Sequence, residues 1–146
     1  MILDIACGSR LFGDIGVDLD KVYASDSPNI PKRNVIASVL HLPFRNNSFE
    51  VVHFIGILHH VRNPIQAWDE MVRVASDIVI GEEPSFLNPK AYQDPYHIIK
   101  GFRRKQLVRI CNRGIKHLRV CWYIPSPVKF SVNFQIIGLK RHDGSV

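Results

Sequence analysis

The chain has 146 residues, of which 46% are hydrophobic and 22% charged, with a formal net charge of +6. That length suits one domain, residues 1–146, able to bury most of its apolar surface. No apolar run approaches the roughly 18 residues of a membrane span. No basic-then-apolar leader precedes Leu3, and the three cysteines, Cys7, Cys111 and Cys121, lack metal-ligand spacing. Free thiols in a cytoplasmic protein are therefore expected. The charge is uneven: residues 1–96 sum to −4 and residues 97–146 to +10. The basic C-terminal third reads either as a solvated surface or as an attraction for RNA, DNA or an anionic substrate.

In chain order, residues 1–6 and 14–18 read as strands from their continuous apolar content, of the kind buried on both faces of a parallel sheet. The connector between them is too short for a full crossover helix. Residues 20–33 carry Pro28 and Pro31, which disfavours a second one. Val35–Ala37 reads as a short third strand and residues 49–55 as a strong central one. Asn63-Pro64-Ile-Gln66 announces a helix, with Asn as N-cap, Pro at the first position and Gln to close a capping box. Ile65, Trp68, Met71, Val72 and Ala75 should face the sheet, with Asp69 and Arg73 paired outside. Residues 77–81 read as the next strand, 82–96 as a loop, and 103–112 as a second helix that stops at Gly114. Two strands, about 116–124 and 131–140, suit an antiparallel hairpin. Trp68 and Trp122 read as core.

The opening turn Ala6-Cys7-Gly8, followed by Asp18 at the end of the second strand, has the parts that an adenosyl ligand across two parallel strands needs. These are backbone that can be approached closely and an acid for ribose hydroxyls. Two further stretches stand in register with it. Leu42-Pro-Phe-x-x-x-Ser48-Phe-Glu-Val-Val52 precedes Ile57-Leu-His59-His60-Val, which leads to Glu70-Met-x-Arg73-Val74. Together these three stretches, over about residues 3–84, resemble the class I S-adenosylmethionine-dependent methyltransferases, specifically the type 11 group.

The resemblance implies an α/β, Rossmann-like sheet that is mostly parallel, with a C-terminal antiparallel hairpin, helices on its faces and reduced first helices. It implies S-adenosylmethionine as cofactor, S-adenosylhomocysteine as product, and no metal, because a sulfonium is already a good leaving group. Carried over by position, Ala6, Cys7 and Gly8 would let the methionine end lie close, with Asp4 beneath. Asp18, with Leu19 beside it, would meet the ribose hydroxyls, and Ser38 and Val39 the adenine edge. Phe54, Ile55, Gly56 and His59 would border the methionyl group and the reacting methyl. Asp4 also reads as a carboxylate that only satisfies loop amides.

The departures are specific. Ala6 and Arg10 stand at glycine positions, and Ser38 stands where the family has Asp. A shortened first crossover removes the helix N-terminus that would face the cofactor carboxylate, and Arg10 is a candidate to replace it. With the first strand read from residue 1, no cap helices are expected before it, and closure over the substrate is expected from residues 20–33, residues 82–101, a homo-oligomer or a partner subunit.

His59 and His97 are the candidate catalytic residues, His97 as a base toward a hydroxyl or amine. His59 and His60 have loop capping or burial as the competing reading. Glu82 and Glu83 end the fifth strand, where open α/β sheets place ligands. An Asn-Pro-Pro-Tyr motif, carried after the fourth strand by methyltransferases of nucleobase and glutamine amino groups, is missing. The expected reaction is methyl transfer to an O, N or C nucleophile of an acceptor the sequence does not name. The alternatives are an inactive cofactor-binding or partner subunit, and a nucleic-acid-directed methyltransferase gripping phosphate through its basic third. A nicotinamide dehydrogenase fits neither the glycine pattern nor the later motifs.

Overall fold

The computed structural model describes residues 1–6, 12–19, 34–124 and 132–141. Seven strands form one sheet: β1 (Ile2–Ile5), β2 (Ile15–Asp18), β3 (Asn34–Ile36), β4 (Phe49–Ile55), β5 (Ala75–Pro84), β6 (Ile115–Tyr123) and β7 (Asn133–Lys140). Their order across the sheet is β3-β2-β1-β4-β5-β7-β6. The first five run parallel, and β7 enters antiparallel between β5 and β6. The strand order reverses between β1 and β4, which is the switch point where open α/β sheets take their ligands.

Helix α1 (Pro64–Val74) connects β4 to β5 and α3 (Arg104–Cys111) leads into β6; a single turn, α2 (Lys90–Gln93), lies in the loop between β5 and α3. The sequence dictates the start of α1. Asn63 accepts the Gln66 amide at 3.1 Å with Pro64 in the first turn, so an orphan donor is satisfied where proline costs nothing. The Gln66 side chain does not close the expected box on the cap backbone but donates to the Leu40 carbonyl at 3.0 Å. On α3, Gln106 does reach back to the cap, its Oε1 accepting the Arg103 amide at 2.7 Å, which is the one half of such a box that an arginine N-cap allows.

Helices α1 and α3 pack against each other and onto β4, β5 and β6. Trp68 is fully buried between them, edge-on to Phe54 and donating its indole N–H to the Arg113 carbonyl at 3.1 Å. The face of α1 that meets the sheet is Ala67, Trp68, Met71, Val72 and Val74. Ile65, expected inward, is 40% exposed because it lies in the first turn, beyond the sheet's cover. Residues 1–6 and 14–18, read as buried on both faces, are buried at consecutive positions, Leu3 to Ile5 on β1 and Gly16 and Val17 on β2, whereas β4, β5 and β7 alternate buried and half-exposed residues, as strands do when helices cover one face. Trp122 is also corrected: it sits on the edge strand β6, 51% exposed, and stacks on Phe134. Strand β5 is longer than the expected 77–81 and begins where α1 stops. The expectations for the first crossover (residues 7–11) and for residues 20–33 lie outside the described residues.

Arg73 explains why two of the sequence stretches occur together. Its guanidinium donates to the Leu42 and Phe44 carbonyls at 2.9 and 2.7 Å and grips both oxygens of Glu70 at 2.6 and 2.8 Å. Glu70 in turn accepts the Leu42 amide at 2.7 Å. The expected Asp69–Arg73 pair is therefore absent: Asp69 binds Arg113 instead, at 2.8 and 2.9 Å. The hydrogen bond from Arg73 holds the Glu70 carboxyl below its ordinary 4.5. A carboxylate with a depressed folded pKa adds stability that is present above its ordinary value and is lost as pH falls through the lowered one. Arg73→Ala should cost about 2 kcal/mol at neutral pH, and its deficit in urea unfolding should narrow on acidification below pH 4.5.

Candidate functional site

The C-terminal ends of β1, β2 and β3 line an open cleft of about 340 Å3, its solvent-open mouth included. Ile5 and Ala6 from β1, Val17, Asp18 and Leu19 from β2, and Ala37, Ser38 and Val39 after β3 form three of its sides. Ile57 and Val61, from the loop after β4, form the fourth. The walls are mostly apolar, with one carboxylate at the rim. Asp18 is half-buried there and its Oδ1 accepts the Leu19 amide at 2.7 Å.

Ala6 has φ 56°, in the left-handed region. Glycine adopts that conformation freely, and alanine pays about 1–2 kcal/mol for it. The turn is tied down by the Ala6 amide, which donates to the Val17 carbonyl at 2.8 Å. Ser38 supports the opposite wall, its Oγ accepting the Leu40 amide at 3.2 Å.

Of the residues singled out by sequence, Ala6, Asp18, Leu19, Ser38 and Val39 all line this cleft. Cys7, Gly8 and Arg10 lie outside the described residues. Asp4 does not reach the cleft surface. It is buried, with Oδ2 accepting the Phe12 amide at 2.7 Å and Oδ1 2.8 Å from His53 Nδ1, so it organises the loop between β1 and β2. The Phe54 side chain is fully buried against Trp68 and points into the core, leaving only its backbone at the strand end. Ile55 is exposed, and Gly56 turns the chain with φ +64°. A Cβ on Gly56 would stand 3.1 Å from His59 Cε1, so glycine also makes room for that ring.

The loop after β4 is held by a residue whose role the sequence did not reveal. Glu83, fully buried on β5, accepts the amides of Ile57 and Leu58 at 2.9 and 2.7 Å through Oε1. Its Oε2 lies 2.7 Å from His59 Nδ1. Both oxygens are thus committed to the fold. Glu82, half-buried and on the opposite face of the strand, has a carboxyl raised above its ordinary value by burial, with His53 and Asn133 opposing the shift. Burial, reinforced by the charge of Glu83, pushes the Cys111 thiol well up; Cys111 and Cys121 are both unpaired.

His97 stands beside His59: their ring centroids are 4.2 Å apart, and His60 stands 4.1 and 4.7 Å from the pair. Five basic residues of the C-terminal third are held within the fold. Arg104 and Arg141 donate to the carbonyls of Val120 and Ile115, Lys100 to that of Asp94 and Lys140 to that of Ala75, while Arg113 holds Asp69. These bonds fit a surface that serves the fold.

An open, mostly parallel sheet with β7 inserted antiparallel, an apolar cleft beside its switch point and an acid closing the second strand fits the class I methyltransferase architecture. Residues 3–77 match the type 11 methyltransferase domain family, and the chain belongs to that family. An uncharacterised protein of Methanocaldococcus jannaschii is 30% identical over 105 residues, 64% of this chain and 46% of that protein. The chain thus spans about half the length of the curated relative it matches. An S-adenosylmethionine-dependent methyltransferase of Thermotoga maritima superposes with a TM-score of 0.74 at 17% identity, covering 96% of this chain and 82% of that one. The methyltransferase bound to the Trm112 activator in Haloferax volcanii superposes with a TM-score of 0.70 at 13% identity, covering 97% and 82%. No described helix is long and apolar enough to cross a membrane.

Replacing Glu83 by Ala leaves two buried amides and an imidazole without their acceptor, so it should cost about 3 kcal/mol in urea unfolding. Glu83→Gln, which keeps an acceptor for the two amides, should cost less.

Proposed function

We propose that residues 1–146 act as one domain that binds S-adenosylmethionine in the cleft and transfers its methyl group to an O, N or C nucleophile. The observation that supports this most is the placement of Asp18. It is an acid at the rim of an otherwise apolar slot, at the end of the strand next to the switch point, where a ribose would present two hydroxyls to it. Ala6 and Ala37 keep the slot's walls thin, and Val17, Val39 and Ile57 offer apolar surface to an adenine ring. When bound, the sulfonium supplies an activated methyl group that needs no metal to leave.

The chain's own task is then positioning. Asp18 fixes the ribose, the strained turn at Ala6 lets backbone approach the amino-acid end, and Glu83 locks the loop that carries Ile57 and His59. His59 and His97 face the side beyond β4, where an acceptor would enter, and His97 is the candidate to take a proton from it. We read Arg10 as the partner of the cofactor carboxylate. A second copy or a partner subunit is the proposed cover for the acceptor side; the Haloferax volcanii methyltransferase held by Trm112 is a precedent in the same fold.

S-adenosylhomocysteine should bind and raise the melting temperature. At 100 times its dissociation constant it should add about 2.7 kcal/mol of stability. Asp18→Asn should weaken that binding about 10- to 100-fold in calorimetry while leaving the unliganded melting temperature almost unchanged. An absent shift with the parent chain would overturn the proposal.

A further inference from the structure

Three histidines gather at the end of β4 from two separate segments, and their surroundings are unusually alike. His59 Nδ1 lies 2.7 Å from the Glu83 carboxylate, His97 Nδ1 lies 2.9 Å from the Ala91 carbonyl and His60 Nδ1 lies 3.3 Å from the Tyr96 carbonyl. A carbonyl oxygen can only accept, so the two carbonyls draw the ring proton to Nδ1 of His60 and His97; the carboxylate does the same for His59. In each neutral ring the lone pair is then left on Nε2. This is the outer-shell arrangement that orients imidazoles toward a metal ion. One ligand nitrogen from each of the three rings lies within 4.8 Å of the others.

We propose that His59, His60 and His97 form a three-imidazole site for a first-row divalent metal ion, Zn2+ in the first instance, with a fourth position open. Imidazole suits zinc, and three histidines with an open position form one of its recurrent ligand sets. Metal–nitrogen bonds of about 2.0–2.1 Å ask the nitrogens to close to about 3.4 Å of one another. Rotation of His60 and His97, both in loops and partly exposed, supplies that movement, whereas His59 is fixed by Glu83.

The backbone already brings the two segments together. The His59 carbonyl accepts the amides of Ile98 and Ile99, both at 3.0 Å, so His97 is delivered to the site before any ion arrives.

The competing arrangement is visible as well. Asp94 Oδ2 lies 3.2 Å from His97 Nε2, so this carboxylate competes with a metal ion for that nitrogen. Zinc would take the nitrogen and leave Asp94 as a neighbouring anion, and His97 could not then also act as a base. The site would then clasp the 94–100 loop to the end of β4, beside the Ile57 and Val61 wall of the cleft. It does not rest on the methyltransferase reading, since transfer from a sulfonium needs no metal.

The test uses untagged, chelator-treated protein titrated with Zn2+ against a chromophoric competitor, and separately with Co2+. One equivalent of Zn2+ should bind, and Co2+ should develop the intense visible absorption of a four-coordinate site. His60→Ala, at a half-exposed position, should keep its circular dichroism spectrum and lose the stoichiometric site; His97→Ala should do the same. Glu83→Gln should weaken Zn2+ about 10- to 100-fold, as loss of an outer-shell partner does. Failure of the parent chain to bind one equivalent, or undiminished binding in folded His60→Ala and His97→Ala, would overturn the proposal. Binding of S-adenosylhomocysteine, measured in the same samples, reports on the methyltransferase reading independently.

Discussion

A single buried carboxylate organises the functional end of this molecule. Glu83 emerges from β5 with no access to solvent, where an unsatisfied charge would be prohibitive. It is tolerated because two backbone amides and one imidazole from the neighbouring loop converge on it. The dependence runs both ways: the loop after β4 has a defined path because the carboxylate demands donors. From that loop, Ile57 and Val61 wall the cleft, and the His59 carbonyl recruits the segment that carries His97. Remove the acid and one side of the cleft loses its support while His59 loses the partner that fixes its ring.

The cleft itself follows from topology more than from any one residue. Where the strand order reverses, the connections leave β1 and β4 in opposite directions and a gap opens between them. What this chain adds is a particular lining: small residues, apolar walls and one acid. The turn at Ala6 shows the cost of that choice. A methyl group in the left-handed region narrows the approach to the backbone and carries strain that glycine would not, which is the sort of local conflict that functional turns retain.

Much of this was legible in the sequence, for physical reasons. The strands were readable because apolar runs bounded by Pro, Gly and Asn have few other uses, and α1 because Asn63-Pro64 is a start signal with a mechanism. The pairing of the Leu42-Pro-Phe stretch with Glu70 and Arg73 was readable as a pattern, although its cause, a guanidinium holding two carbonyls, needed coordinates. Other features stayed hidden. The Asp69–Arg73 spacing is good on a helical surface, but a better-placed acid at Glu70 and a distant Arg113 outcompeted it. Trp122 looked like core because alternation cannot tell a central strand from an edge. Glu83 could be placed at a ligand-bearing strand end, yet nothing local says which face it enters. The His59–His60–His97 group spans nearly forty residues, and only the backbone bonds of Ile98 and Ile99 make it a cluster.

The insertion of β7 between β5 and β6 bears on how the protein is made. Strands β1 to β5 pair among themselves, apart from the outer edge of β5, so that portion can take shape before the last two strands are made. Strand β6 is synthesised next but has no place to pair until β7 arrives and fills the gap. During that interval α3 and β6 are tethered to a half-built sheet whose β5 edge is open, the kind of unpaired edge that recruits other chains. The late strand therefore closes the sheet, and the interval before it forms is when the β5 edge most needs cover.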